Sequence, residues 1–129
     1  MPHKIKYNSM AHIIEVKVQG DVTPAELSDI YFQGVQLAKE KQCFLVLSDF
    51  RKATTLKFTL SEMSRLPQNL SDMAVSAGID ANSLKRAIVF APQDAATSFF
   101  AEGVTVSQGQ SARMFQDIEE ARRWLLELE

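Results

Sequence analysis

The sequence predicts a single α/β domain built on a mixed β-sheet. Two apolar runs, at residues 44–47 and 87–91, show no alternation with polar residues, which is typical of strands covered on both faces. Helical patterns separate the two runs, and strands joined through a helix pair in parallel. Residues 12–19 alternate between apolar and polar side chains instead, as a half-exposed antiparallel strand does. We therefore expect a sheet that is parallel in its centre and antiparallel at its N-terminal edge.

Three capping signals place the helices. In each, a Thr or Asp stands three residues before a Glu, so that side chain and backbone can satisfy each other at a helix start. The three signals are Thr23-Pro24-Ala25-Glu26, Thr59-Leu60-Ser61-Glu62 and Asp117-Ile118-Glu119-Glu120. Gly34 lies on the apolar stripe of the first helix, where it suggests a close approach to the sheet. Pro67 should kink the second helix, over 60–77, or divide it in two.

The complete predicted order is β-β-α-β-α-β-α-β-α in one domain over residues 1–129. The first strand should be the sheet edge, and Gly20-Asp21 should end the second strand. The predicted strands are 3–8, 12–19, 43–49, 85–91 and 112–116, and a further helix is predicted at 95–102, followed by an irregular segment at 104–111.

Composition excludes several classes of protein. A net charge of −2 gives no general attraction to nucleic acid or anionic lipid. The apolar runs are shorter than the roughly 18 residues that span a bilayer, and no secretory signal is recognisable, so we expect a cytoplasmic protein. The single Cys43 allows no internal disulfide and should be a structural apolar residue. His3 and His12 lack neighbouring Cys or acidic ligands, so neither a metal site nor another cofactor is predicted.

The closing run, residues 112–125, gives the chain a family resemblance. A strand ending in Phe115, an acidic capped turn and Glu120-Ala121-Arg122-Arg123-Trp124-Leu125 resemble the SpoIIAA-like group of the STAS superfamily, whose fourth strand the stretch 84–90 also resembles. The resemblance implies a STAS-like fold and a regulatory or protein-interaction role without catalysis. It also implies an apolar ligand as an alternative, because lipid-carrying domains have a similar fold.

One motif of that family is incomplete in this chain. Anti-sigma-factor antagonists of this fold carry a phosphorylatable Ser after the third strand, in an Asp-Ser-Ser/Thr-Gly turn. Here Asp49 is present but no Ser-Gly follows, and Thr54 and Thr55 are the nearest hydroxyls. The chain therefore lacks the usual phosphorylatable Ser-Gly turn, and phosphorylation of Thr54 or Thr55 stays an open alternative.

The predicted site is the segment 49–57, most of which belongs to a loop predicted over 50–58 at the carboxyl end of the third strand, where α/β sheets place ligands. Basic side chains there can bind an anion, hydroxyls can donate hydrogen bonds, and the neighbouring loop after the fourth strand should lie beside them. The alternative is a solvated basic loop, with the Asp paired to a nearby Arg. The candidate residues are Asp49, Arg51, Lys52, Thr54, Thr55, Lys57, Gln93 and Asp94.

Three functions are compatible with this site. The first is a module that binds a partner protein through the predicted loop and the helix after it. The second is a small carrier or sensor for an apolar or anionic ligand, held near that loop or between the sheet and helix 60–77. The third, an enzyme, lacks a catalytic motif to support it. Phe32 lies off the buried stripe of its helix, which favours a homodimer.

Overall fold

A computed structural model describes residues 3–56, 59–91 and 111–126. Within these ranges a five-stranded sheet packs against three α-helices. The strands are β1 (His3–Asn8), β2 (Ile13–Val22), β3 (Leu45–Leu56), β4 (Lys85–Val89) and β5 (Ser111–Phe115), and the helices are α1 (Pro24–Lys41), α2 (Leu60–Ala77) and α3 (Ile118–Leu126). The helix predicted at 95–102 and most of the irregular segment at 104–111 lie outside the described residues.

The strands lie side by side in chain order, β1-β2-β3-β4-β5. β1 pairs with β2 in the antiparallel sense, and every later pair is parallel. This confirms the predicted mixed sheet with an antiparallel N-terminal edge. None of the helices in the described part of the chain combines the length and apolarity needed to cross a bilayer.

Helices bury both faces of the sheet. On one face, apolar residues of β2 and β3 form a core with α1 and α2, in which Ile14, Val16 and Ile30 are buried. On the other face, Ile13 and Leu47 pack with α3. The alternation of β2 creates both cores, because successive side chains of a strand point to opposite faces.

The strands β2 and β3 are longer than predicted. The second strand continues through Gly20-Asp21 to Val22, and Gly20 takes a left-handed backbone with φ of +79°. The third strand begins at Leu45 rather than Cys43 and continues to Leu56, so the predicted loop at 50–58 is wrong over 50–56. The two extensions pair with each other, which satisfies backbone groups that a loop would leave to water.

The capping predictions are confirmed to different extents. At α2 the box is complete: Thr59 Oγ1 accepts a hydrogen bond from the Glu62 backbone N–H at 3.0 Å, and Glu62 Oε1 accepts one from the Thr59 N–H at 2.9 Å. At α1, Thr23 Oγ1 accepts from the Glu26 N–H at 3.2 Å, which is one half of the predicted box. Both caps stop donors at the helix start from being left without a partner.

Helix α2 continues through Pro67 as a single helix, so the predicted division into two helices is wrong. A proline inside a helix costs about 3 kcal/mol, because it removes one hydrogen bond and crowds the preceding turn. Leu70, Ala74 and Ala77 lie beyond the proline and are buried. Burial of this second half offsets the local cost.

Helix α3 is capped at its start and bonded to the sheet at its end. Asp117 Oδ1 accepts from the Glu119 backbone N–H at 2.8 Å at its start. At its end Lys85 Nζ donates to the Trp124 carbonyl at 2.8 Å and lies 4.5 Å from the centre of the indole ring. A cation is favourable at a helix C-terminus and over an aromatic face, so these contacts set the position of α3.

The side chain of Phe32 is exposed on α1, with 57% of its surface accessible. This agrees with its place off the buried stripe. A single exposed apolar residue is common on protein surfaces, and the homodimer stays a prediction.

Gly34 does not approach the sheet, and that prediction is wrong. A Cβ atom built on Gly34 meets nothing within 4 Å.

We therefore expect Gly34→Ala to raise the free energy of unfolding by up to about 1 kcal/mol, because alanine loses less backbone entropy in a helix. Urea denaturation measures the change.

Gly78 supplies the opposite control for that substitution. It ends α2 with a φ of +83°, a conformation that costs a residue with a Cβ roughly 1 kcal/mol. Gly78→Ala should lower the free energy of unfolding. A loss of stability in Gly34→Ala would show that the α1 backbone needs glycine there.

Candidate anion-binding cleft

A cleft of about 300 Å³ lies at the end of the sheet where β2 and β3 extend beyond the α3 core. We call it the basic cleft. It draws on three adjacent strands, β1, β2 and β3, and its lining is mostly polar. The lining residues are His3, Lys4, Lys17, Val18, Gln19, Asp49, Arg51 and Lys52.

A β-bulge in β3 brings its polar side chains to one face. Asp49 pairs with Lys17, but Lys52 pairs with Gln19, so β3 uses three steps where β2 uses two. Phe50 packs into the core on the α1 face. In a regular strand the position three residues after Asp49 would face that core as well. The extra residue turns Lys52 to the side of Asp49 and Gln19, as bulges beside binding sites commonly do.

Asp49 and Arg51 form a bidentate ion pair inside the cleft. Arg51 Nε donates to Asp49 Oδ1 at 2.9 Å, and Nη2 donates to Oδ2 at 2.8 Å. The Arg51 backbone N–H also donates to Oδ1, at 3.0 Å. Burial opposes ionisation of this carboxyl, but the Arg51 hydrogen bonds, with the charges of Arg51 and Lys17, hold the Asp49 pKa below its usual value. The same hydrogen bonds raise the pKa of Arg51.

None of the three lysines in the cleft forms a salt bridge within the described residues. The charge of Lys17 acts on Asp49, but Arg51 already pairs with that carboxylate. Lys4 lies directly opposite Lys17 on the neighbouring strand, and Lys52 follows on β3 beside Gln19. All three side chains are exposed. Like charges directly opposite each other on paired strands are destabilising. Their repulsion is a cost to the fold that a bound anion would relieve.

The contrast with Glu15, two residues before Lys17, shows that this imbalance is local. Glu15 Oε2 accepts from Asn8 and from Arg122, both at 3.2 Å, and Oε1 lies 3.5 Å from Lys6 Nζ. Burial opposes its ionisation, yet these hydrogen bonds and charges hold the Glu15 pKa below its usual value. The cations at the α3 end are therefore neutralised, and those in the cleft are left in excess.

His3 forms the buried rim of the cleft. Its side chain is only 3% exposed, and Nε2 lies 3.2 Å from Gln33 Oε1. Its Nδ1 faces Glu26 Oε2 at 3.6 Å, and neither of these two buried atoms has a hydrogen-bond partner. His12 instead contacts Tyr7, whose hydroxyl lies 2.6 Å from His12 Nδ1. The two histidines thus belong to different contacts, and the described residues contain no group of His, Cys, Asp and Glu that could hold a metal ion.

The structure brings together three of the eight predicted site residues, namely Asp49, Arg51 and Lys52. The backbone of Thr54 and Thr55 continues β3 beyond the cleft, so these two residues belong to a strand rather than to the predicted loop. The remaining candidates, Lys57, Gln93 and Asp94, lie outside the described residues.

Sequence reasoning missed the contribution of β1 and β2 to the site. Lys17 and Gln19 stand on the polar face of the alternating strand, and that alternation is visible in the sequence. Their pairing with β3 makes that face part of the cleft. Lys4 reaches it through the antiparallel register with Lys17, which a hairpin register would have indicated.

The ion pair predicts a pH-dependent stability. Because the folded state lowers the Asp49 pKa, the stabilisation is fully present above the ordinary value of 3.8 and is lost as the pH falls through the lower native pKa. Asp49→Asn should lower the free energy of unfolding by about 0.5–1 kcal/mol near neutral pH, as expected for a partly exposed pair. This difference should shrink below about pH 4.

Arg51→Gln provides the control for this measurement. In that background, Asp49→Asn should cost less, with a weaker dependence on pH, because the main cause of the lowered pKa is absent. Urea denaturation across the acid range measures all four proteins. An undiminished, equally pH-dependent cost in the Arg51→Gln background would contradict the role given to the pair.

Comparison of the chain with protein-family models, with curated proteins and with solved structures gave no match. The resemblance to the STAS superfamily stays a prediction, beside an α/β fold with a mixed sheet that the structure shows.

Proposed function

We propose that this protein is a non-enzymatic regulatory module that binds an acidic segment of a partner protein in the basic cleft. The observation that carries the proposal is the grouping of Lys4, Lys17 and Lys52, none of which forms a salt bridge in the described part of the chain. The nearby carboxylate of Asp49 is already paired with Arg51. The whole chain carries a net charge of −2, so this local excess of positive charge is set against an acidic background. Such a pattern steers and orients an acidic partner.

The shape of the cleft supports a binding role. It is open along the extended parts of β2 and β3, where exposed ammonium groups stand on neighbouring strands. Strands in a sheet lie about 4.8 Å apart, so the row of lysines can meet successive carboxylates of an extended chain. Gln19 adds an amide that can donate to the same chain.

The state of Asp49 favours binding over catalysis. A general acid or base works best with a pKa near the operating pH. Arg51 holds the Asp49 pKa below its usual value instead, so this carboxyl stays ionised and acts as a fixed anchor for the guanidinium. The resemblance to STAS domains supports the same regulatory role by analogy.

A ten-residue glutamate peptide tests the proposal. Its binding to the wild-type protein at low salt, followed by NMR, should shift the backbone amides of Lys17, Gln19 and Lys52. The double variant Lys17→Gln/Lys52→Gln should bind roughly tenfold more weakly, because each exposed ion pair contributes about 0.5–1 kcal/mol. Its free energy of unfolding should change by less than about 1 kcal/mol, because relief of the repulsion between Lys4 and Lys17 offsets the lost attraction of Lys17 for Asp49.

The matched control is Arg65→Gln/Arg123→Gln. Both arginines are exposed and neither lines the cleft, so this variant makes the same change in net charge elsewhere. Its affinity for the peptide should stay close to that of the wild type. An equal loss in both double variants, or amide shifts confined to other surfaces, would overturn the proposal.

The volume of the cleft favours one second candidate, a carrier or sensor for a small anion. About 300 Å³ is at the lower end of the range for small-ligand sites. An apolar ligand suits this lining less well than an anion, and between the sheet and α2 the side chains of Leu70 and Met73 already pack into the core. Native mass spectrometry separates the two functions: a bound small mass that the Lys17→Gln/Lys52→Gln variant loses would favour the carrier.

A further inference from the structure

We infer that the group for which the basic cleft is built is a phosphoryl dianion, carried on a side chain of the partner protein. The inference rests on the proposed function and names its ligand chemistry. Among the described residues, four cationic side chains and one carboxylate line the cleft, a formal excess of three positive charges with His3 neutral. A single carboxylate balances only part of this excess, whereas a phosphorylated side chain carries about −1.5 to −2 at pH 7.

The ion pair leaves one edge of the Arg51 guanidinium available for such a group. Asp49 occupies Nε and one N–H of Nη2. No other side chain among the described residues bonds to this guanidinium, so the N–H groups of Nη1 and the second N–H of Nη2 remain to donate. These point along the end of the guanidinium, an arrangement that matches two phosphate oxygens. Asp49 therefore fixes the orientation of the donor without using its whole capacity.

The lysines approach from three different strands. Lys4, Lys17 and Lys52 stand on β1, β2 and β3, and the outer two strands are roughly 10 Å apart. Long lysine side chains can converge over that distance on one tetrahedral group with three acceptor oxygens. A planar carboxylate has two oxygens and cannot engage all of these donors at once.

The β-bulge in β3 places two adjacent cationic side chains on the same face of the sheet. Two consecutive residues, Arg51 and Lys52, face the cleft between Phe50 and Ala53, which both pack into the core. A regular strand would place one of these two cations in the apolar interior. The irregular backbone thus adds one positive charge to the site, without a compensating carboxylate on the neighbouring position of β2, where Gln19 stands.

The test uses three probes with the intact protein: a short Gly/Ala peptide that carries one phosphoserine, the same peptide with Glu at that position, and inorganic sulfate. We expect the phosphopeptide to bind at least about tenfold more tightly than the Glu peptide at pH 7. Its affinity should fall about tenfold from pH 7 to pH 5, as the phosphate loses its second charge with a pKa near 6. Sulfate keeps its charge over this range, so any change in its affinity reports on the groups of the protein and is subtracted.

Inorganic phosphate added as a competitor distinguishes the two sources of the dianion. Weaker binding of free phosphate than of the phosphopeptide is expected for a group presented by a protein, and equal or tighter binding of free phosphate would overturn that part. The Lys17→Gln/Lys52→Gln variant should lose the preference for phosphoserine over Glu, and Arg65→Gln/Arg123→Gln should keep it.

The outcomes separate this inference from the proposed function. If the Glu peptide binds as tightly as the phosphopeptide at pH 7, or if the affinity for the phosphopeptide is as flat with pH as that for sulfate, the inference is wrong. The binding of acidic segments would still stand. If neither peptide shifts the cleft amides, both are wrong.

Discussion

The parallel pairing of β2 with β3 is the constraint on which both the core and the cleft depend. At its beginning, the pairing aligns Ile14 with Val46 and sets the apolar side chains against helices on each face. Farther along, the same ladder continues beyond α3, and one face is left open to water. Only there can β2 and β3 present charged side chains without burying them. The first part of the β2–β3 ladder therefore belongs to the core, and the later part of the same ladder forms the cleft.

The balance of charged residues also changes along β2 and β3. Near α3, the Glu15 carboxylate accepts a hydrogen bond from Arg122 and forms an ion pair with Lys6. These contacts balance the two positive charges and join the helix to the sheet. Two residues later, Lys17 lies opposite Lys4 across the antiparallel ladder. The carboxylate on its other side, Asp49, is already paired with Arg51. A protein under selection for stability alone would gain from an acidic residue at one of these positions. The repulsion is understandable if the site exists to bind an anion.

Local patterns predicted the parts of this fold that depend on local physics. The capping residues Thr59 and Glu62 and the alternation of β2 are readable because their partners are three residues away or share a face. The extent of β3 was not readable, since Ser48 and Asp49 carry turn chemistry that pairing with β2 overrides. The Phe50-Arg51-Lys52-Ala53 pattern does contain a signal for the bulge, two polar residues between two apolar ones, but only the register with Gln19 gives it meaning.

The strand order has a consequence for how the molecule is assembled. Every described residue that lines the basic cleft lies between His3 and Lys52, so this part of the site is encoded in one uninterrupted stretch of the chain. During synthesis, this stretch leaves the ribosome before any of β4, β5 or α3. The strands β4 and β5 contribute none of the described lining residues. Substitutions in these later strands can therefore accumulate while the described backbone of the cleft stays in place.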